Sequence, residues 1–157
     1  MGRFSNIPRA KVGALAWSHR LFVYGSLQPD TSCPIQSLIG RPVRWVGRAR
    51  VRGRLVDLGR YPGLIDAVHL DQWVAGWVCL LPDCRALARV DRYEQAGPGF
   101  VRFGEYRRVL ETVWLDSGEA QQCWMYRYNR NSGRRPVVKR LAAGCKPDLF
   151  AWRQSSR

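Results

Sequence analysis

The sequence predicts a single domain of mixed strands and helix on three observations: a length that supports one hydrophobic core, a succession of short β-like runs, and one amphipathic helix set among them. The chain has 157 residues, 46% of them hydrophobic, with seven Trp, six Tyr and five Phe. A domain of this size buries roughly 68–70% of the surface its unfolded chain exposes, so one core is enough. This composition lies far from the polar, charge-dominated profile of disordered chains. The longest apolar stretch, Trp73 to Leu81, has nine residues, about half of the ~18 needed for a membrane-spanning helix. No repeat and no low-complexity linker divides the chain. The expected organisation is a basic, flexible N-terminal arm over residues 1–19 and one folded domain over residues 20–157.

The elements follow in order from periodicity and breakers. Leu21-Phe22-Val23-Tyr24 is a short apolar run stopped by Gly25, the pattern of a buried strand that ends in a loop. Turn and breaker residues come next. Val43 to Leu58 reads as one strand, in which Arg48, Arg50, Arg52 and Arg54 alternate with small or apolar residues, so period two places all four guanidinium groups on one face. Leu58 to Gly63 is rich in turn chemistry and reads as a loop. Trp73 to Leu81, β-branched and aromatic, is a core strand ended by Pro82. Asp83 is placed to cap a helix whose apolar positions Ala86, Leu87, Val90 and Tyr93 recur at helical spacing, and Gly97-Pro98-Gly99 prevents continuation. Glu105 to Trp114 and Ala120 to Tyr128 are strands joined through Asp116-Ser117-Gly118, a hairpin signal. The basic tail beyond Asn129 is irregular, with a short helix expected over residues 138–143.

Charge and cysteine usage narrow the function classes. The formal net charge is +14, and 23 of the 26 basic residues are Arg, which makes binding to a polyanion a serious reading. The arginine strand, with Arg134, Arg135, Lys139 and Arg140, is the surface that would carry it. A run of charges is more often a solvated face, and no base-stacking motif accompanies this one in the sequence. The five cysteines stand at positions 33, 79, 84, 123 and 145, without a CxxC pair or a His-linked spacing, which argues against a zinc or iron–sulfur site. An odd count without an apolar leader fits reduced thiols in a cytoplasm.

Two features point to chemistry. Glu94 lies four residues after Val90 and seven after Leu87, so the helix carries its carboxylate on the apolar, inward face. Burial and the negative end of the helix dipole both disfavour the anion there and raise its pKa toward the range of a general base. The alternative is that Glu94 pairs with one of the many arginines at a helix end. The second feature is Tyr24-Gly25-Ser26-Leu27 at a strand end, where Gly permits dihedrals that turn successive N–H groups toward one point, a nest for a carboxylate or an oxyanion. A simple turn is the alternative.

Read together, five segments resemble the γ-glutamylcyclotransferase-like (AIG2-like) family: Leu21 to Leu27; Gly53-Arg54-Leu55 with Tyr61-Pro62-Gly63; Val74-Ala75-Gly76-Trp77-Val78; Val90-Asp91-Arg92-Tyr93-Glu94; and Tyr106-Arg107-Arg108. The order and spacing agree over roughly residues 20–130. The resemblance implies an α+β fold built on a small, partly closed mixed β-barrel with a few flanking helices, its mouth holding the Tyr24–Leu27 loop and Glu94. It also implies a cofactor-independent, metal-free reaction in which a γ-glutamyl α-amine attacks its own δ-carbonyl, releasing 5-oxoproline and an amine from a small γ-glutamyl amine, amino acid or peptide. Glu94 would move the proton, and Gly25, Ser26 and Leu27 would hold the carboxylate or carbonyl. Tyr24 would supply a wall or a hydroxyl, and Tyr106 would line the pocket or serve as a buried structural residue. The family commonly has Gly directly after this Glu, where the present chain has Gln95, and the stretch from Gln28 to Ser32 and the Gly144-Cys145 pair also depart from its pattern. The competing class is a non-catalytic basic protein that binds nucleic acid or acidic partners through Arg48, Arg50, Arg52 and Arg54. The sequence leaves the oligomeric state open.

Overall fold

The structure, a computed structural model, describes residues 19–31, 34–58, 62–96, 104–130 and 137–140. Its elements are β1 (Arg20–Val23), α1 (Ile35–Ile39), β2 (Arg44–Arg52), β3 (Arg54–Asp57), β4 (Pro62–Ile65), β5 (Trp73–Leu80), α2 (Cys84–Tyr93), β6 (Tyr106–Leu115), β7 (Ala120–Tyr128) and β8 (Val137–Arg140). Five strands form a closed barrel in the order β1-β5-β2-β6-β7, and a smaller sheet has the order β4-β3-β8. Full closure comes from a parallel seam as short as one registered pair, Leu21 with Trp124, where β1 meets β7.

Alternation along β2 decides what is inside. Ala49 and Val51 point into the barrel and pack with Phe22, Val74, Val78, Val113 and Met125, while Arg48 and Arg50 point out. A second apolar cluster lies between the outer wall and the helices, joining Leu21, Val23 and Cys79 to Ile35, Ile39, Leu87 and Val90. Close approach of β1 to β5 depends on Gly76, where an added Cβ would lie 2.7 Å from Phe22 Cζ and closer still to the Val23 carbonyl. Asp83 caps α2 as its position predicts, its Oδ1 accepting from the Ala86 N–H at 2.9 Å. The β6–β7 hairpin turns at Asp116-Ser117-Gly118, with Gly118 at a φ of 90°.

Four expectations are corrected. The single strand over residues 43–58 is broken at Gly53, where a side chain would meet Leu64 Cδ1 at 2.7 Å and the Ile65 carbonyl at 2.9 Å. Arg54 therefore belongs to the second sheet, and only Arg48, Arg50 and Arg52 share the outer face of β2. Part of the expected loop, from Pro62, is strand β4, paired with β3. Residues 137–140 form strand β8 against β3 in place of the expected helix. Helix α1, unforeseen among the breakers, closes on Gly40 at a φ of 67°. The N-terminal arm to residue 18, Tyr61, residues 97–99, Arg134, Arg135 and the Gly144-Cys145 pair lie outside the described residues.

Candidate active site

β1 ends at Val23 and the chain turns immediately, so Tyr24 to Leu27 cross the barrel mouth. The carbonyls of this turn are committed to the protein: that of Gly25 accepts from the Gln28 N–H at 3.3 Å and that of Leu27 from the Ile35 N–H at 3.2 Å, while Ser26 O accepts from Thr31 Oγ1. Among the described residues, the N–H groups of Gly25, Ser26 and Leu27 donate to no backbone carbonyl. Gly25 is not in a left-handed conformation, so the expected dihedral reason for glycine is replaced by another. A Cβ built there meets nothing within 4 Å, which leaves open space directly beside the backbone.

That space belongs to a cavity of about 220 Å³. Tyr24, Gly25, Ser26, Leu27, Glu94 and Tyr106 all line it, so the residues singled out from sequence converge on one pocket. Phe22, Val23, Pro62, Tyr93, Gln95, Glu105 and Tyr126 complete the wall. The sequence reading gave these seven no site role, although Phe22, Val23, Pro62 and Tyr93 lie in the segments that carry the family resemblance. Tyr93 was signalled as an apolar helix position and Gln95 by adjacency to Glu94, Glu105 only by adjacency to Tyr106, and Tyr126 comes from the outer face of the barrel wall, where it packs with the helices.

Glu94 is the C-cap of α2, its N–H bonded to the Val90 carbonyl at 2.9 Å. Its carboxyl forms no ion pair or hydrogen bond with the described residues, so the alternative of an arginine partner does not hold among them. Burial, and then the nearby Glu105 carboxylate, push its pKa up from 4.5 to about 8. Burial is the cause expected from sequence; the Glu105 charge adds to it and was not.

The hydroxyls around the pocket are held by the scaffold. Tyr24 donates to the Tyr126 carbonyl at 2.7 Å and accepts from the Leu64 N–H at 3.3 Å. Burial first, and then Glu94, raise its pKa well above the phenol range. Tyr106 donates to the Pro62 carbonyl at 3.1 Å. Tyr126 donates to Asp91 Oδ1 at 2.8 Å, and Arg108 Nη1 lies 2.6 Å from Asp91 Oδ2, which ties α2 to the barrel just before it delivers Glu94. At the rim, Ser26 Oγ lies 3.4 Å from the Tyr93 hydroxyl. The chain leaves the helix through Gln95 at a φ of 52°, a left-handed turn in a residue with a side chain. Among the described residues no three His, Cys, Asp or Glu groups converge as metal ligands, and no helix is long and apolar enough to cross a membrane.

Residues 21–144 match the family described as gamma-glutamyl cyclotransferase, AIG2-like, and the chain belongs to that family. The fold is shared with an AIG2-like protein of Mus musculus at 19% identity and a TM-score of 0.57, over 78% of this chain and 84% of that one. It is also similar to a gamma-glutamyl cyclotransferase at 17% identity and a TM-score of 0.54, over 71% and 66% of the two chains. A third similar structure is YkqA of Bacillus subtilis, at 20% identity and a TM-score of 0.55, over 71% of this chain. The present chain spans 36% of YkqA's length. No curated protein matches the sequence significantly.

Proposed function

We propose that the protein is a γ-glutamyl cyclotransferase that closes 5-oxoproline from a small γ-glutamyl compound with Glu94 as its general acid/base. The observation that carries this reading is the pairing, in one cavity, of a carboxyl without a described protein partner and a backbone turn in which the N–H groups of Gly25, Ser26 and Leu27 donate to no described backbone carbonyl. The α-carboxylate or the δ-carbonyl oxygen of the substrate would receive the N–H groups of Gly25, Ser26 and Leu27. Tyr24 and Tyr106 serve as walls, since both hydroxyls already donate to backbone carbonyls.

The reaction then needs little beyond positioning and proton transfer, because nucleophile and electrophile belong to one molecule. Glu94 takes a proton from the α-ammonium, and the freed lone pair forms the bond to the δ-carbon as the carbonyl pair moves onto oxygen. When that pair returns, the amide C–N bond breaks and Glu94 delivers its proton to the leaving nitrogen. The ring nitrogen's second surplus proton departs with the released amine as an ammonium. A carboxyl raised to about 8 is a far stronger base than an ordinary carboxylate, which lowers the cost of taking a proton from the α-ammonium.

Incubation with a panel of γ-glutamyl amines, amino acids and peptides, followed by measurement of 5-oxoproline, tests the reading. Release from at least one member, lost in a folded Glu94→Gln variant, is expected. No release from any of them refutes the enzyme.

A further inference from the structure

The sheet register brings to the barrel wall an arrangement that no sequence window contains. Arg52 is registered opposite Trp73 on β5, and Arg50 opposite Trp114 on β6, so these side chains share the outer face. The Arg50 and Arg52 guanidinium carbons lie 4.8 and 4.2 Å from the centre of the Trp73 ring. Trp114 packs edge-on against Trp73 at 5.2 Å. Arg48 continues the row, its side chain half exposed and 4.0 Å from Asp116. Among the described residues neither Arg50 nor Arg52 has an acidic partner.

Two cations gathered on one indole without a carboxylate repel each other, and an anion placed between them removes that cost. The indole also holds the guanidinium planes in place, so less side-chain freedom is lost when they bind. Arg50 is exposed on this wall, and the face of its guanidinium away from Trp73 can stack a base. The wall presents a row rather than a helix or ribbon able to enter a duplex groove. Its indoles are packed against each other and against guanidinium groups, which disfavours insertion into a lipid surface.

We propose that Arg48, Arg50 and Arg52, with Trp73 and Trp114, form a binding face for single-stranded nucleic acid on the outer barrel wall, separate from the Glu94 cavity. The phosphates pair with the guanidinium edges and bases stack on the planes backed by Trp73.

The test is fluorescence anisotropy of a short labelled oligothymidylate, an abasic strand of the same length, and phosphatidylserine vesicles, across a salt series. The wild-type protein should bind oligothymidylate at least several-fold more tightly than the abasic strand. In the folded variant with Arg48, Arg50 and Arg52 all changed to Gln, the log–log salt slope should fall by about 2, at ~0.7 per phosphate contact. The double variant Arg50→Lys and Arg52→Lys keeps the charge and should keep the slope while losing the preference for bases. Unchanged binding in the triple Gln variant overturns the proposal, as does equal affinity for the abasic strand. Binding to vesicles alone, removed by the same substitutions, also overturns it in favour of a membrane surface.

Discussion

Replacing Glu94 by Gln should change stability and activity in opposite directions, and the pH dependence of each is fixed by one shifted carboxyl. In the unfolded chain this group ionises near 4.5, whereas burial and Glu105 raise it to about 8 in the fold. Between those values the folded protein holds a proton that the unfolded chain has released, so stability falls as pH rises. The contribution is fully present below about 4.5 and is lost as pH passes through about 8. At 1.36 kcal/mol per unit, the loss by pH 9 is on the order of 5 kcal/mol. Gln does not ionise, so Glu94→Gln should match the wild type at pH 5 and exceed it at pH 9 by an amount of that order. For a domain of this size each kcal/mol corresponds to roughly 2–4 °C in melting temperature. Urea denaturation at the two pH values, followed by tryptophan fluorescence, reads the difference. The same variant should lose about 10²–10⁴-fold in 5-oxoproline formation. Wild-type kcat/KM should rise with pH through about 8, as the base becomes free to accept a proton. Parallel stability curves for the two proteins between pH 5 and 9 would refute the environment assigned to Glu94, and a folded variant within a few-fold of wild-type activity would refute its role.

Other perturbations test the scaffold. Asp91→Ala leaves Arg108 and the Tyr126 hydroxyl without their common partner beneath the pocket, and thermal melts should show a loss of about 2–4 kcal/mol. Gly76→Ala drives a methyl group into Phe22 and the Val23 carbonyl, with an expected cost in urea denaturation of about 1–3 kcal/mol or more. Gln95→Gly relieves a left-handed residue and should raise stability by up to about 1 kcal/mol, with 5-oxoproline formation retained. Burial pushes the Cys79 and Cys123 thiols up to about 12, so among the described cysteines iodoacetamide at neutral pH should label exposed Cys84 alone, as peptide mass mapping would show.

Local rules made much of the fold legible. Alternation and aromatic content marked β1, β5, β6 and β7 within a residue or two, because side-chain direction alternates along a strand and the apolar positions of each meet a core on one face or both. Asp83 and the spacing of Leu87 and Val90 marked α2 and turned Glu94 inward for the same reason. The break at Gly53 was not legible, since what forbids a side chain there is Leu64 and Ile65 from another strand. Strands β4 and β8 were missed because they exist only by pairing with β3, and turn-rich or basic composition hides such edges. At the site, Glu94 and the Tyr24–Leu27 turn could be found from sequence because each lies at the end of a recognisable element. The proximity of Glu105 to Glu94, the commitment of the Tyr24 hydroxyl to Tyr126 and Leu64, and the meeting of Trp73 and Trp114 with the arginines could not, because sheet register and barrel closure decide them. Sequence determined which faces are apolar and which residues end each element, both set by neighbours within a few positions. Tertiary structure alone determined the Glu105 contribution to the pocket's electrostatics and the meeting of Trp73 and Trp114 with the arginines of the outer wall, because Coulomb interactions and ring contacts depend on distance in space and not on separation along the chain.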